Sequence, residues 1–160
     1  MPQGEIRIIG GQWRGRKLKV PVVQGLRPTP DRVRETVFNW LMPVIHGAYC
    51  LDAFAGSGAF GFEALSRGAA HVVMVDSIPK VVQLLQETLG SLKADNADVY
   101  CAKVPQQLKP PTTRFNVVFL DDFFSLFLFA EDSSNHFWAV HNQFQLELFT
   151  VFWIFNVVRR

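Results

Sequence analysis

Three carboxylates and three spaced glycines are the residues whose types and positions suit chemistry in this chain of 160 residues. Leu51-Asp52-Ala53-Phe54-Ala55-Gly56-Ser57-Gly58-Ala59-Phe60-Gly61 runs from an apolar stretch ending in an acid directly into the glycines, and Phe62 and Leu65 continue as a helical pattern. Glycine is needed where the backbone takes positive φ or must approach a ligand without a Cβ in the way. A helix N-terminus offers that ligand unpaired N–H groups. The stretch therefore reads as a strand, a tight turn and a helix that bind a nucleotide-type cofactor, because a plain connection needs at most one glycine and three cost conformational entropy. A second apolar run, His71-Val72-Val73-Met74-Val75-Asp76, ends in a carboxylate 24 residues after Asp52. That is near the roughly 20-residue spacing at which an acid after the second strand bonds ribose hydroxyls; the alternative for Asp76 is a cap on the next helix. The third carboxylate, Asp121, closes Phe115-Asn116-Val117-Val118-Phe119-Leu120-Asp121.

Two cofactors fit Gly56-x-Gly58-x-x-Gly61, which also matches the dinucleotide fingerprint. The Asp52 carboxylate, four residues before Gly56, is awkward beside a pyrophosphate and suits a ligand with an ammonium group, such as S-adenosylmethionine. Asp52-x-Phe54-x-Gly56-x-Gly58 resembles the first motif of Rossmann-like methyltransferases, whose glycine loop lies against the methionine and ribose part of that cofactor. The resemblance implies that Asp52, Phe54, Gly56, Ser57, Gly58 and Asp76 bind S-adenosylmethionine. It also implies an α/β fold of Rossmann-like methyltransferase type.

The elements that must position this loop begin with a basic arm. Residues 1–40 hold eight Lys/Arg against three Asp/Glu, a net +5, although the whole chain is only +2. Such asymmetry suits an anionic partner, with a solvated basic face as the alternative. Ile6-Arg7-Ile8-Ile9 and Lys17-Leu18-Lys19-Val20 are β-type runs joined by Gly10-Gly11-Gln12-Trp13-Arg14-Gly15-Arg16, a hairpin with a basic tip. Arg14, Arg16, Lys17 and Lys19 suit phosphates, and Trp13 suits either stacking on a base or anchoring the hairpin. After Gly25-Leu26-Arg27-Pro28, Thr29 is placed as N-cap with Pro30 at the first helical position and Asp31 in the first turn. Val33, Val37, Trp40 and Leu41 follow at i, i+4, i+7 and i+8 as one apolar stripe, leaving Arg27, Arg32 and Arg34 for the polar side.

The segments from Arg7 to Leu18 and from Arg27 to Leu41, continuing through Glu63-Ala64-Leu65-Ser66-Arg67-Gly68-Ala69-Ala70, resemble the RsmD-type enzymes that methylate guanine N2 in bacterial 16S ribosomal RNA. The resemblance covers residues 6–121. It implies an RNA-facing role for Arg14, Arg16, Lys17, Arg27, Arg32 and Arg34, and 16S rRNA in the small subunit or its assembly intermediate as partner. A cytoplasmic monomer without metal or membrane is expected. Cys50 and Cys101 are too few for a disulfide framework or a zinc site and read as small apolar residues near strands. Met1-Pro2-Gln3-Gly4-Glu5-Ile6-Arg7 lacks the apolar core of a signal peptide.

Downstream, Pro79 to about Leu92 forms a helix with an apolar face, and Asn96 to Ala102 leads into a third strand. Related methyltransferases often place an acid or amide after that strand to meet the adenine amino group, whereas this chain has Lys103, which only donates. Amino-group methyltransferases end the fourth strand in Asp/Asn-Pro-Pro-Tyr/Phe, where the acid or amide holds the target nitrogen and the aromatic stacks on the base. Here the turn is Asp121-Asp122-Phe123-Phe124, which keeps Asp121 and Phe124 as catalytic candidates and lacks both prolines. Of 15 Phe, 11 lie in residues 115–160, and this tail matches neither strand alternation nor a helical stripe. The expected organisation is a basic hairpin and helix extension (1–45), a cofactor-binding half (46–121), and a hydrophobic tail (122–160) in which the C-terminal strands are missing or replaced, as a reading-frame shift near Asp122 would produce. Phe144 to Val158 is 15 residues with Glu147 inside, short of the roughly 20 that span a bilayer.

Overall fold

In the computed structural model, which describes residues 4–24, 29–104, 106–107, 114–122, 125–131 and 137–141, the apolar runs become two sheets. Glu5–Arg7 (β1) and Lys17–Lys19 (β2) pair antiparallel with Ile6 opposite Leu18. Those two side chains are buried while their charged neighbours face solvent, as alternation predicts. Ile8 extends the pairing through bonds with Arg16 O (2.9 Å) and Gly15 N (2.8 Å), and a single 3-10 turn, Gly11–Trp13, lies between the strands.

The second sheet has the order β5-β4-β3-β6-β7-β8, built from Tyr49–Asp52 (β3), His71–Asp76 (β4), Ala97–Cys101 (β5), Val117–Asp122 (β6), Ser125–Glu131 (β7) and Phe137–His141 (β8). Strands β3 to β6 are mutually parallel, and β7 and β8 add on antiparallel. A parallel sheet is covered on both faces, so its strands are apolar on both. Cys50, Val72, Met74, Val117 and Phe119 enter the larger core, whereas Leu51, Val75, Val118 and Leu120 enter a second cluster. The larger core also takes the apolar faces of Asp31–Leu41 (α1), Ala59–Ser66 (α2) and Pro79–Leu92 (α3). Phe38 of α1, Phe60 of α2 and Phe119 of β6 pack together with ring centroids 5.1–6.1 Å apart. Ile6, Ile8, Leu18 and Val20 join the same cluster, so the N-terminal extension and the six-stranded sheet share one core.

Three sequence expectations are corrected. Helix α1 starts one residue later than expected, with Pro30 rather than Thr29 as N-cap and no side-chain cap bond; the Pro30 carbonyl opens the helix by accepting from Val33 N and Arg34 N. The helix is also rotated. Its buried face is Arg34, Val37, Phe38 and Leu41, while Val33 and Trp40 are 38 % and 47 % exposed. Third, Ser125–Glu131 is a strand, although its sequence lacks alternation. Phe and Leu favour a pleated sheet.

Cys50 is buried and Cys101, against expectation, is exposed. Burial, reinforced by the nearby Asp52 charge, pushes the Cys50 thiol far above its ordinary value of 9.0. A thiol-reactive dye on the native protein is therefore expected to label Cys101 alone, with Cys50 reacting only on unfolding. The unfolded chain ionises Cys50 near 9.0 while the folded chain does not, so this thiol lowers stability as pH rises above that value. Among the described residues no helix is long and apolar enough to cross a membrane, and no group of three or more His, Cys, Asp or Glu is placed to hold a metal. The segment Phe144 to Val158 lies outside the described residues.

Candidate active site

Parallel strands bring their carboxyl ends to one edge, and that edge gathers Asp52 from β3, Asp76 from β4 and Asp121 from β6. The registers place Asp52 opposite Met74 and Phe119, and Asp76 opposite Cys101. Sheet order reverses between β3 and β6, the kind of switch point where open α/β sheets bind ligands. Asp121 pairs with Leu126 of β7. Phe124 lies outside the described residues.

Between β3 and α2 the chain makes a loop stitched to its neighbours. Ala53 N donates to Phe119 O (3.1 Å), Ala55 N to Val75 O (2.8 Å) and Gly58 N to Ala55 O (2.7 Å). Gly56 takes φ +50° and Gly58 φ +75°, conformations that suit glycine. The Asp76 carboxylate holds the loop from the side, accepting Gly56 N at Oδ2 and Ile78 N at Oδ1, both at 2.9 Å. No side chain caps α3 itself; Asp76 bonds the N–H of Ile78, the residue before that helix, and grips the glycine loop as well. Each of its oxygens has a second lone pair, and the residue is half-buried, so a hydroxyl can still reach it. Asp52 is 1 % exposed, and its Oδ2 accepts Gly61 N at 3.0 Å, a clamp from β3 to the first turn of α2. Phe54 is half-buried and Ser57 buried in the same loop.

Two of the three glycines answer to packing inside the protein. A Cβ on Gly58 would stand 2.3 Å from the Phe62 ring and 2.7 Å from Leu85, and one on Gly61 would stand 2.6 Å from Met74 Sδ. The donor set fits a cofactor with vicinal hydroxyls and positive charge better than a pyrophosphate. Two carboxylates end the strands, and the only Lys or Arg in residues 51–78 is Arg67, which is engaged elsewhere.

Arg67 belongs to a cluster at the other end of α2, centred on Glu63. The Glu63 side chain is wholly buried. Its Oε1 accepts Gly10 N and Arg67 Nε, each at 2.8 Å, and its Oε2 accepts Ile9 N at 2.9 Å and faces Arg34 Nη1 at 3.5 Å. Arg34 also reaches Arg7 O (3.0 Å), Thr29 O (3.4 Å) and the Asp31 carboxylate. Ser66 adds a second tie, accepting Trp13 N (3.0 Å) and donating to Gly10 O (2.5 Å). The Arg67 guanidinium lies over the Phe38 ring, 5.1 Å from its centroid.

Of the cations expected to face RNA, Arg14, Arg16, Lys17 and Arg32 are exposed, and Lys17 pairs with Glu5 at 3.2 Å. Arg27 lies outside the described residues. Arg34 is a correction, since it is 0 % exposed and bound to Glu63 and Asp31, so it is an internal cation rather than an RNA-facing one. Trp13 is half-buried and packs against the core, the anchoring reading. Lys103 N donates to Gln107 Oε1 (2.9 Å) while Gln107 N donates to Lys103 O (2.8 Å), closing the turn after β5. Sequence reasoning missed Glu63 and Ser66. A signal was present, because an eight-residue helix that is otherwise apolar all round must be buried, and its polar residues then need partners.

The family model described as "Conserved hypothetical protein 95" matches residues 6–133. The chain belongs to that family, the RsmD-type family. Its match runs twelve residues past Asp121 and so takes in β7. Ribosomal RNA small subunit methyltransferase D of Escherichia coli strain K12 is 58 % identical over 118 residues, covering 74 % of this chain and 60 % of that protein. The protein of the same name from Haemophilus influenzae is 52 % identical over 123 residues, covering 74 % and 64 %. The solved structure of yhhF from Escherichia coli superposes with a TM-score of 0.69 at 54 % identity, covering 76 % of this chain and 65 % of that one. The chain thus spans about three fifths of the length of the curated RsmD-type relatives it matches. Its parallel sheet with flanking helices is the Rossmann-like α/β fold of these methyltransferase neighbours.

Proposed function

We propose that this chain is an S-adenosylmethionine-dependent methyltransferase acting on a guanine exocyclic N2 of 16S ribosomal RNA, in the cytoplasm where small subunits are assembled. One observation carries the reading: the Asp76 carboxylate grips the N–H of Gly56 at the switch-point edge, where Asp121 lies near the carboxyl end of β6. When bound, S-adenosylmethionine supplies an electrophilic methyl group. Asp76 would hold the ribose hydroxyls, the negative charge of Asp52 would favour the methionine ammonium, and Phe54, Gly56, Ser57 and Gly58 would line the cofactor. Asp121 accepts a hydrogen bond from the target amine and aims its lone pair. No strong base is required, since the amine can lose its proton after transfer. Phe124 is the candidate for stacking on the base, and Arg14, Arg16, Lys17, Arg27 and Arg32 hold phosphates so that a flipped or unpaired guanine enters at Asp121.

Thermal shift with S-adenosylmethionine against NAD tests the cofactor, and tritiated methyl transfer to under-modified small subunits tests activity. Asp76→Ala is expected to weaken cofactor binding about 10–100-fold, the scale of one or two lost charge-assisted hydrogen bonds. Asp121→Ala is expected to abolish transfer and leave cofactor binding intact. Stabilisation by NAD alone, or transfer undiminished in Asp121→Ala, overturns these assignments.

A second reading is a catalytically inactive form that binds RNA or cofactor only. The antiparallel pairing of β6 with β7, Asp122 opposite Ser125, favours it, because a hairpin stands where the resemblance expects an Asp/Asn-Pro-Pro-aromatic turn. Cofactor stabilisation without methyl transfer decides for it. Under either reading we assign 1–45 to RNA, 46–121 to cofactor, and 122–160 to a tail altered by a reading-frame change. Translating the locus in its other frames tests the last point, since failure to restore Pro-Pro-aromatic removes it.

A further inference from the structure

Glu63 is a buried charge that the cofactor loop does not touch. A carboxylate removed from water is tolerated only when its hydrogen bonds are complete, and a helix buried on every side could be filled by apolar residues instead. Three of its four donors, Ile9 N, Gly10 N and Arg34 Nη1, come from the N-terminal extension. Arg34 carries the attachment on to the carbonyls of Arg7 and Thr29. Ser66 repeats the pattern with Trp13 N and Gly10 O. Two residues before Glu63 in the same helix, Gly61 N is held by Asp52, and Gly58 precedes the first turn. With a rise of about 1.5 Å per residue, the tie to the cofactor loop and the tie to the extension are within about one turn of each other.

Apolar contact between Ile6, Ile8 or Leu18 and the core is non-directional and permits sliding. Bonds from one carboxylate to two successive backbone N–H groups fix direction and register. We infer that Glu63 is a positioning residue for the RNA substrate: through α2 it sets the exposed basic hairpin, Arg14, Arg16 and Lys17, at a fixed place relative to the cofactor loop. RNA held on the hairpin then presents its base at the carboxyl edge of the sheet. The inference rests on the methyltransferase reading above.

Glu63→Gln in the full chain keeps the volume, removes the charge and turns an NH2 donor toward existing donors. Three quantities test it: amide hydrogen exchange at Ile9 and Gly10, affinity for S-adenosylhomocysteine by calorimetry, and affinity for a fluorescein-labelled RNA stem-loop with an unpaired guanine by anisotropy. Exchange at both amides and loss of RNA affinity are expected to reach about tenfold, the equivalent of one charge-assisted bond, while cofactor affinity stays within about twofold. Ser66→Ala is expected to act in the same direction by about threefold, and it carries the comparison if Glu63→Gln does not fold. Parallel loss of cofactor and RNA affinity would show that Glu63 merely supports the fold, and unchanged RNA affinity despite faster exchange would show that hairpin placement is irrelevant; either overturns the inference. Wild-type protein that fails to bind S-adenosylhomocysteine overturns the methyltransferase reading itself, an outcome visible before any variant is made.

Discussion

Gly58→Ala is expected to lower stability by about 2–5 kcal/mol and to unfold at a correspondingly lower urea concentration. Two costs add. The backbone sits at φ +75°, where an L side chain costs about 1–2 kcal/mol. The new methyl would also stand 2.3 Å from Phe62 Cε2 and 2.7 Å from Leu85 Cδ2, and overpacking a tight core costs about 1–3 kcal/mol. Neither neighbour can swing aside, because Phe62 and Leu85 are 1 % and 2 % exposed. Gly15→Ala is the control, since Gly15 has φ +84° but nothing within 4 Å of an added methyl. It is expected to lose only the conformational part, about 1–2 kcal/mol. Equal losses at the two positions would show that packing around Gly58 contributes nothing.

Arg34→Ala is expected to cost about 3–5 kcal/mol, the scale for removing one partner of a buried ion pair. The substitution strips Glu63 of one of its two guanidinium partners and leaves the Arg7 and Thr29 carbonyls without this donor. Arg34→Lys should recover only part of the loss, because an ammonium on a flexible stem cannot fork to four acceptors as a guanidinium does. An RNA-contacting arginine would behave in the opposite way, with stability kept and RNA affinity reduced. Chemical denaturation in the absence of RNA separates the two, and an unchanged midpoint in Arg34→Ala would refute the internal role.

The helix carrying Arg34 shows where legibility ended. Its length, its acidic first turn and its one-sided apolar pattern were readable within a residue, because helical period depends only on local spacing. Its rotation was not. Val33 and Trp40 are as apolar as Val37 and Leu41, so the stripe admitted more than one centre. The centre was chosen by Glu63, 29 residues away from Arg34, whose charge makes it favourable to turn an arginine inward and leave Trp40 half outside. The glycines tell a related story. Their spacing marked a tight loop between strand and helix, yet Gly58 and Gly61 are glycine because Phe62, Leu85 and Met74 occupy the space a Cβ needs, which no spacing rule contains.

The sequence alone determined the strands and helices between residues 46 and 121, the carboxylates near the ends of those strands and the family to which the chain belongs. These follow from runs of apolar residues bounded by glycine and acid, a signal that is local along the chain. The tertiary structure alone decided that Asp76 holds the glycine loop, that β7 returns antiparallel beside β6, and that the basic extension is fastened to α2 by Glu63 and Arg34. The first and third join groups far apart in sequence, and a buried charge declares its purpose only when folding brings its counter-charge within reach.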